Sequence, residues 1–345
     1  MMTSNELNLS FSPGVPEFEP HPWLRSGHAQ TIAGRYLPGS GARLESTYHE
    51  ILLEDGDRLA VLESTPEGWQ AGDPAILLVH GLAGCASSPY VVRIGARLHQ
   101  IGIRVVRMNL RGAGLGFGLA RGIYHGGRTE DLRAVAGWMA ARAQESPLGL
   151  RGFSLGGNLV LKLAAEAVDQ PLPGLDCVLA ANPPLDLSAC CRHIQRAENR
   201  IYDRHFVKML QREVSRLHRV FPELGHPAVE RFRTVYEFDE LYTAPRNGFR
   251  GAEDYYNRAS AGPLLEKIAI SGLIVHAKDD PFIPPEPFEH ARLGPLLALE
   301  MNSYGGHLGY VSRNRWGRDR RWLDARLSAW LSAHWTLGAR DAAGV

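Results

Sequence analysis

Short aliphatic runs separated by longer amphipathic stretches set the pattern of this chain. From Ala75 onward AILLVHG, IRVVRMN, LGLRGF, LDCVLAAN, SGLIVHA and LLALEMNSY follow one another. Runs of this length, bounded by turn residues, read as strands buried on both faces. Between and after them the spacing predicts helices near 89–101, 129–144, 155–168, 287–293 and 317–335. In the second of these, Leu132, Val135, Ala136, Met139 and Ala143 recur on one face at helical spacing. Ser88 before Pro89 predicts a capped helix start with proline at its first position. Strands alternating with helices in this way predict an α/β fold, a mostly parallel sheet with helices on both faces. Upstream, YHEILLEDGDRLAVLE predicts a hairpin around Asp55-Gly56.

Two segments break the alternation. Residues 1–46 are rich in Pro and Gly without sustained periodicity, and read as an N-terminal arm packed on the core. Between about 186 and 260 no convincing strand occurs, so a helical lid insertion is expected within one domain spanning 47–345. Inside it Phe206, Val207, Leu210, Val214, Leu217 and Phe221 form an apolar stripe, with Arg204, Lys208, Arg212, Arg216 and Arg219 occupying much of the remainder. The stripe suits packing over an apolar acyl pocket, and it leaves peripheral membrane contact open as a second use. Asp186, just before the insertion, reads as the cap of its first helix.

Composition narrows the function classes. A formal net charge of +1 gives no global field for nucleic acid or anionic lipid. Length alone, 345 residues, suggests two domains. Many of the 37 glycines instead gather at 81 and 84, 112–118, 152–157 and 305–309, in loops at one expected sheet edge, which favours a single domain. Cys85, Cys177, Cys190 and Cys191 contain no CxxC and do not form a disulfide framework. The start MMTSNELNLSFSPGVPEFEP lacks the basic and apolar regions of a signal peptide. The longest apolar runs reach about five residues, far short of a membrane span. A cytoplasmic location follows as the expectation.

The chemistry gathers after the strands. LGLRGF runs into Ser154-Leu155-Gly156-Gly157 and then a helical pattern, so Gly152-Phe153-Ser154-Leu155-Gly156 is a G-x-S-x-G elbow in its required strand–turn–helix setting. A sharp turn there lifts the serine hydroxyl above the sheet edge, and the flanking glycines remove side chains that would collide. Serine needs a base and an orienting acid. His307, in Gly305-Gly306-His307-Leu308-Gly309, and the pair Asp279-Asp280 both follow later strands, in the order Ser…Asp…His. Asp279 and Asp280 compete for the acid role, and with Asp280 as the acid Asp279 is a turn residue bonding local backbone amides. Val79-His80-Gly81-Leu82 follows the first buried strand, where an oxyanion donor is expected; the backbone N–H groups of Leu82 and Leu155 are the assigned pair. His80 is expected to shape that loop, and with Gly81, Phe153, Phe206 and Leu210 to border the substrate.

Other chemistries fail on the residues. Gly112-Ala113-Gly114-Leu115-Gly116-Phe117-Gly118 does not fit G-x-G-x-x-G in either frame, since Phe117 and Leu119 stand where glycine is needed. Walker A and HExxH motifs are missing, so neither cofactor nor metal is expected.

The segments HPWLRSGHAQTI, HGLAG, NLRGAG, YHGGRTEDL, RGFSLGGN, AKDDPFIP and GGHLGY together resemble the YheT-like branch of the α/β-hydrolase superfamily, a bacterial branch related to eukaryotic abhydrolase-domain acylglycerol and phospholipid hydrolases. The likeness runs from about residue 20 to 310. It implies a serine hydrolase with Ser154, Asp280 and His307 as its triad, acting on carboxylic esters as a carboxylesterase or acylglycerol lipase. It marks the arm as a branch feature without giving it a role. The membrane-anchoring N-terminal helix of the eukaryotic relatives has no counterpart here, so attachment of that kind is not expected. The expected substrate is a lipophilic ester. An acyltransferase with the same triad and a non-catalytic binding protein on this fold are the alternatives.

Overall fold

The computed structural model describes residues 15–37, 43–316 and 319–337. Eight strands form the central sheet: β1 (Thr47–Leu52), β2 (Arg58–Ser64), β3 (Ala75–Val79), β4 (Arg104–Met108), β5 (Leu148–Phe153), β6 (Leu175–Ala181), β7 (Ser271–Ala277) and β8 (Leu297–Asn302). Their order is β1-β2-β4-β3-β5-β6-β7-β8. The hairpin β1–β2 and its junction with β4 are antiparallel, and every other pairing is parallel. Register brings the strand ends level: Val79 pairs with Met108 and Gly152, Phe153 with Ala181, Ala181 with Val275, and Ala277 with Asn302. The loops that leave these ends therefore share one edge, the ligand-binding edge of an open parallel sheet.

Strand alternation divides the core into two layers. Leu77 and Val79 point to one face, against Leu132, Val135 and Met139 of α3 (Thr129–Arg142) and Leu159 and Leu163 of α4 (Leu155–Glu166). Ile76 and Leu78 point to the other, against Val91, Ile94 and Leu98 of α2 (Pro89–Gln100) and Trp322, Leu327 and Leu331 of α8 (Trp322–His334). Three local expectations change. Ser88 leaves α2 without a side-chain cap, because its hydroxyl turns back to accept from Cys85 N–H at 3.0 Å. The stretch 287–293 keeps one helical turn, Glu286–Glu289, before Gly294-Pro295 redirects the chain. The helix expected over 317–335 begins at Trp322, preceded by a two-stranded ribbon of Val311–Trp316 and Asp319–Arg321.

Between β6 and β7 the described chain is helical, with α5 (Leu187–Ile194), α6 (Arg200–Val220), α7 (Ala252–Ala259) and shorter turns. Asp186 caps α5 by accepting from Ala189 N–H at 2.9 Å. The apolar stripe of α6 turns inward: Val207, Leu210 and Val214 pack with Phe232, Phe238 and Tyr242. Arg204, Lys208, Arg212, Arg216 and Arg219 are exposed. Of the N-terminal arm, residues 1–14 and 38–42 lie outside the described residues. The described part contains α1 (Gly27–Tyr36), capped by Ser26. A Cβ on Gly34 would lie 2.7 Å from the Gly309 Cα, so α1 rests directly on the loop that carries His307. The four cysteines are free thiols.

Candidate active site

Ser154 joins β5 to α4 with φ 51° and ψ −124°, a conformation that a non-glycine residue holds only when its surroundings enforce it. Enforcement comes from both sides. Ser154 N–H donates to Ala181 O at 2.9 Å, and Gly157 N–H donates to Ser154 O at 2.7 Å. A Cβ on Gly152 would fall 2.0 Å from Gly156 O, and one on Gly156 would fall 2.4 Å from Val79 O. The two glycines are thus steric requirements of the turn.

The loop after β3 lies against this serine, since a Cβ on Gly81 would be 2.9 Å from Ser154 Cβ. Its N–H groups are largely committed. Gly81 N–H donates to Tyr90 Oη at 3.0 Å, Ala83 N–H to Tyr124 Oη at 2.9 Å, and Gly84 N–H to Gly81 O at 3.0 Å. The Leu82 N–H is the one donor of the turn without an acceptor among the described residues. The Leu155 N–H, at the first position of α4, is likewise unclaimed, as helix N-termini leave their first donors.

His80 does not line the cavity at Ser154. It is fully buried, its Nδ1 pairs with Gly81 O at 2.8 Å, and its Nε2 accepts from Leu110 N–H at 3.1 Å. Both nitrogens are used, which fixes the neutral Nδ1–H form, and burial pushes its pKa down to about 4. Phe153 is also displaced from the expected role. Strand alternation sends its ring into the core, edge-on to Tyr90 at 5.1 Å and beneath the Arg151 guanidinium.

Asp280 and His307 meet on loops after β7 and β8, with His307 Nδ1 2.8 Å from Asp280 Oδ2. The carboxylate is buried and saturated. Oδ2 also accepts from Asn182 Nδ2 at 2.7 Å, and Oδ1 from the N–H groups of Phe282 at 2.8 Å and Ile283 at 3.3 Å. Burial alone would raise this carboxyl, but the adjacent His307 and the donors around it outweigh burial and hold it below its ordinary value. Asp279 points elsewhere and accepts from Gly306 N–H at 2.8 Å, tying the two loops together. His307 N–H in turn donates to Thr31 Oγ1 of α1 at 2.8 Å. No hydrogen bond joins Ser154 Oγ to His307 among the described residues.

Ser154 opens into a cavity of about 160 Å³ lined by Leu82, Leu155, Phe206 and Leu210. Phe282 spans cavity and loop, 5.3 Å from the Phe206 ring and 4.5 Å from that of His307. The wall is mainly apolar, with Glu213 and Asp239 as its carboxyls. Arg111 also borders it, but its guanidinium is bound by Asp55, Asp57 and Asp131. Asp176, Cys177 and His334 form a cluster of metal-ligating residue types near the opposite end of β6. There Asp176 Oδ2 is occupied by His334 Nε2 and Trp335 Nε1, both at 2.7 Å, and burial keeps Cys177 a thiol.

Several residues of this constellation escape a reading by motif. Asn182 stands at the end of its strand run, a position that marks it for the site edge. Thr31 belongs to HPWLRSGHAQTI, a segment distinctive in sequence but silent about its partner. Tyr124 opens YHGGRTEDL, equally silent about its partners, and Tyr90 and Glu213 carry no sequence signal.

The family model described as alpha/beta hydrolase fold matches residues 74–297. The YheT esterase of Escherichia coli (strain K12) is 30% identical over 326 residues, 92% of this chain and 94% of that protein. The human phospholipase ABHD3 is 27% identical, covering 92% of this chain and 78% of the relative. A Saccharomyces cerevisiae monoacylglycerol lipase is 27% identical over 75% of this chain and 59% of its own. Among solved structures, the Pyrococcus furiosus esterase Pf2001 superposes with a TM-score of 0.56 at 16% identity, covering 86% of this chain and 92% of that one. The level strand ends, the strained serine elbow and these likenesses agree, and the chain belongs to the alpha/beta hydrolase fold family, in the branch of the YheT esterase.

Proposed function

We propose that this protein hydrolyses carboxylic esters of the carboxylesterase or acylglycerol lipase type through Ser154, His307 and Asp280. The observation that carries the reading is the strained Ser154 turn lying between two unclaimed N–H groups, with the buried Asp280 bonded to His307 on the loops after β7 and β8. Esterase, phospholipase and lipase relatives support ester cleavage as the reaction class.

In this mechanism His307 takes the Ser154 proton through Nε2 as the oxygen attacks the ester carbonyl. Its Nδ1–H is held by Asp280, which fixes the tautomer and stabilises the imidazolium. Serine–histidine contacts are often long in the free enzyme and tighten around substrate. The Leu82 and Leu155 N–H groups receive the oxyanion, and each such donor contributes about a hundred- to a thousand-fold in rate. The leaving alcohol accepts the proton from His307, and water activated by the same imidazole then releases the acid from the acyl-enzyme. The helical insertion acts as a lid, its α6 stripe forming the apolar wall for a lipophilic chain.

A fluorophosphonate probe labels the wild type and spares Ser154→Ala. Equal labelling of the two, or no turnover of p-nitrophenyl esters above that variant across chain lengths, overturns the assignment.

A further inference from the structure

The cavity wall holds two carboxyls that the reaction above does not use. Glu213, on α6, accepts from Tyr124 Oη through Oε2 at 3.2 Å, and its Oε1 has no hydrogen-bond partner among the described residues. No salt bridge involves it among those residues either. Arg216, one turn along, attracts it through space without a direct contact and lies over the Phe117 ring, its guanidinium carbon 4.1 Å from the ring centre. Asp239 also faces the cavity and accepts from Tyr256 Oη at 2.8 Å. The cation that borders the same space, Arg111, is already surrounded by three carboxylates. The cavity therefore offers two carboxyls and an open acceptor, and no free positive group among its described lining residues.

The location of Glu213 restricts what it can touch. Tyr124 Oη, which donates to Glu213, accepts from Ala83 N–H at 2.9 Å. Two consecutive hydrogen bonds thus link the carboxyl to the turn that presents Leu82 N–H. Both bonds meet at the Tyr124 oxygen, so Glu213 Oε2 lies within about 6 Å of the Ala83 nitrogen, on the side of the cavity next to this turn. Burial pushes the Glu213 pKa up to about 7, so its charge is poorly solvated and gains most from a cationic partner.

We propose that Glu213 is a specificity-determining residue that selects esters bearing an ammonium group close to the scissile carbonyl and rejects esters bearing an anion there. The inference rests on the reading of Ser154 as an ester-cleaving nucleophile. An ammonium in the cavity replaces lost hydration with a charge-assisted contact to Oε1, whereas a sulfonate or carboxylate meets two carboxyls in a low-dielectric wall.

The test uses two matched series on the full-length protein. One varies the acyl half: p-nitrophenyl 4-(trimethylammonio)butanoate, its neutral isostere 5,5-dimethylhexanoate, and 4-sulfobutanoate. The other places the same three end groups in the alcohol half of butanoate esters. The wild type is expected to prefer ammonium to neutral to sulfonate in at least one series. In that series Glu213→Gln, which keeps an acceptor for Tyr124, lowers the ammonium-to-sulfonate ratio of kcat/KM by about tenfold to a hundredfold. The ratio cancels any general loss in the variant, and Glu213→Asp restores part of it. Should Glu213→Gln fail to fold, inhibition of the wild type by butyltrimethylammonium and by butanesulfonate decides the matter, the ammonium being the tighter. An unchanged ratio in both series, or tighter sulfonate inhibition, overturns the proposal. Failure of the wild type on every ester, the neutral isosteres included, overturns the ester-hydrolase reading instead.

Discussion

Replacing Thr31 by valine tests whether the N-terminal helix holds His307, the proposed catalytic base, in place. Thr31 is buried on α1, where its hydroxyl donates to Gly27 O at 2.6 Å and accepts from His307 N–H at 2.8 Å. Valine keeps the shape and removes the acceptor. The stranded His307 N–H then costs about 1–3 kcal/mol if it stays unpaired. The loop has little room to seek another partner: a Cβ on Gly306 would lie 2.3 Å from Gly27 O, and one on Gly309 would lie 2.4 Å from Gln30 O. Gln30 clamps the chain just beyond as well, donating to Val311 O at 3.1 Å and accepting from Val311 N–H at 2.8 Å.

Because 1.36 kcal/mol corresponds to a factor of ten in rate, the loss appears as a fall in kcat of about ten- to a hundredfold. Thr31 does not line the cavity, so KM moves by less than about twofold. Steady-state kinetics on a neutral p-nitrophenyl ester measure both constants, and thermal unfolding measures how much of the penalty falls on the fold. Thr31→Ser restores the acceptor and most of kcat. Wild-type kcat in Thr31→Val, or equal losses in the valine and serine variants, would refute the reasoning.

Three further outcomes follow from the same geometry. Asp280→Asn is expected to lower kcat by several thousandfold by favouring the wrong His307 tautomer, while Asp279→Asn, which perturbs only the Gly306 contact, lowers it by tenfold or less; reversed magnitudes would assign the acid role to Asp279. Tyr124→Phe strands the Ala83 N–H beside the oxyanion turn, so kcat on neutral esters should fall by about tenfold, a loss that stopped-flow acylation rates would reveal. The third concerns pH. Below about pH 4.5 the Glu213 carboxyl is neutral in both folded and unfolded chains. As pH rises toward 7 only the unfolded chain ionises freely, so folding loses stability, by up to about 3 kcal/mol once pH exceeds the folded value of about 7. Glu213→Gln should therefore match the wild type near pH 4.5 and exceed its denaturation midpoint at pH 8; equal midpoints at pH 8 would show the carboxyl to be unstrained.

How much of this was legible in sequence follows from where each contact lies along the chain. The elbow, the Asp loop and the His loop each follow a strand, and a parallel sheet brings consecutive strand ends to one edge whatever their separation. Ser154, His307 and the pair Asp279-Asp280 could thus be picked out as candidates from local pattern. What local pattern lacks is side-chain direction and distant partners. Phe153 and Ser154 are neighbours, yet the strand turns one into the core while the elbow lifts the other out. His80 sits beside the turn, but its nitrogens are consumed by Gly81 O and Leu110 N–H, a pairing that needs the neighbouring strand. The start of α8 was obscured because most of its residues are buried and little polar face marks its register. Thr31 reaches His307 across 276 positions from a segment with no periodicity, and Tyr124 reaches Glu213 across 89. These two contacts have the same form. In each, a hydroxyl accepts from the backbone of a loop at the proposed site, Thr31 of the arm from His307 N–H and Tyr124, itself joined to the helical insertion through Glu213, from Ala83 N–H. A parallel sheet aligns its loops only coarsely, whereas acyl transfer needs its base and its donors placed to fractions of an ångström. The arm and the insertion thus supply positional restraint that strand ends alone lack. Separating the two restraints experimentally should lower kcat through different steps, proton transfer for Thr31 and oxyanion stabilisation for Tyr124.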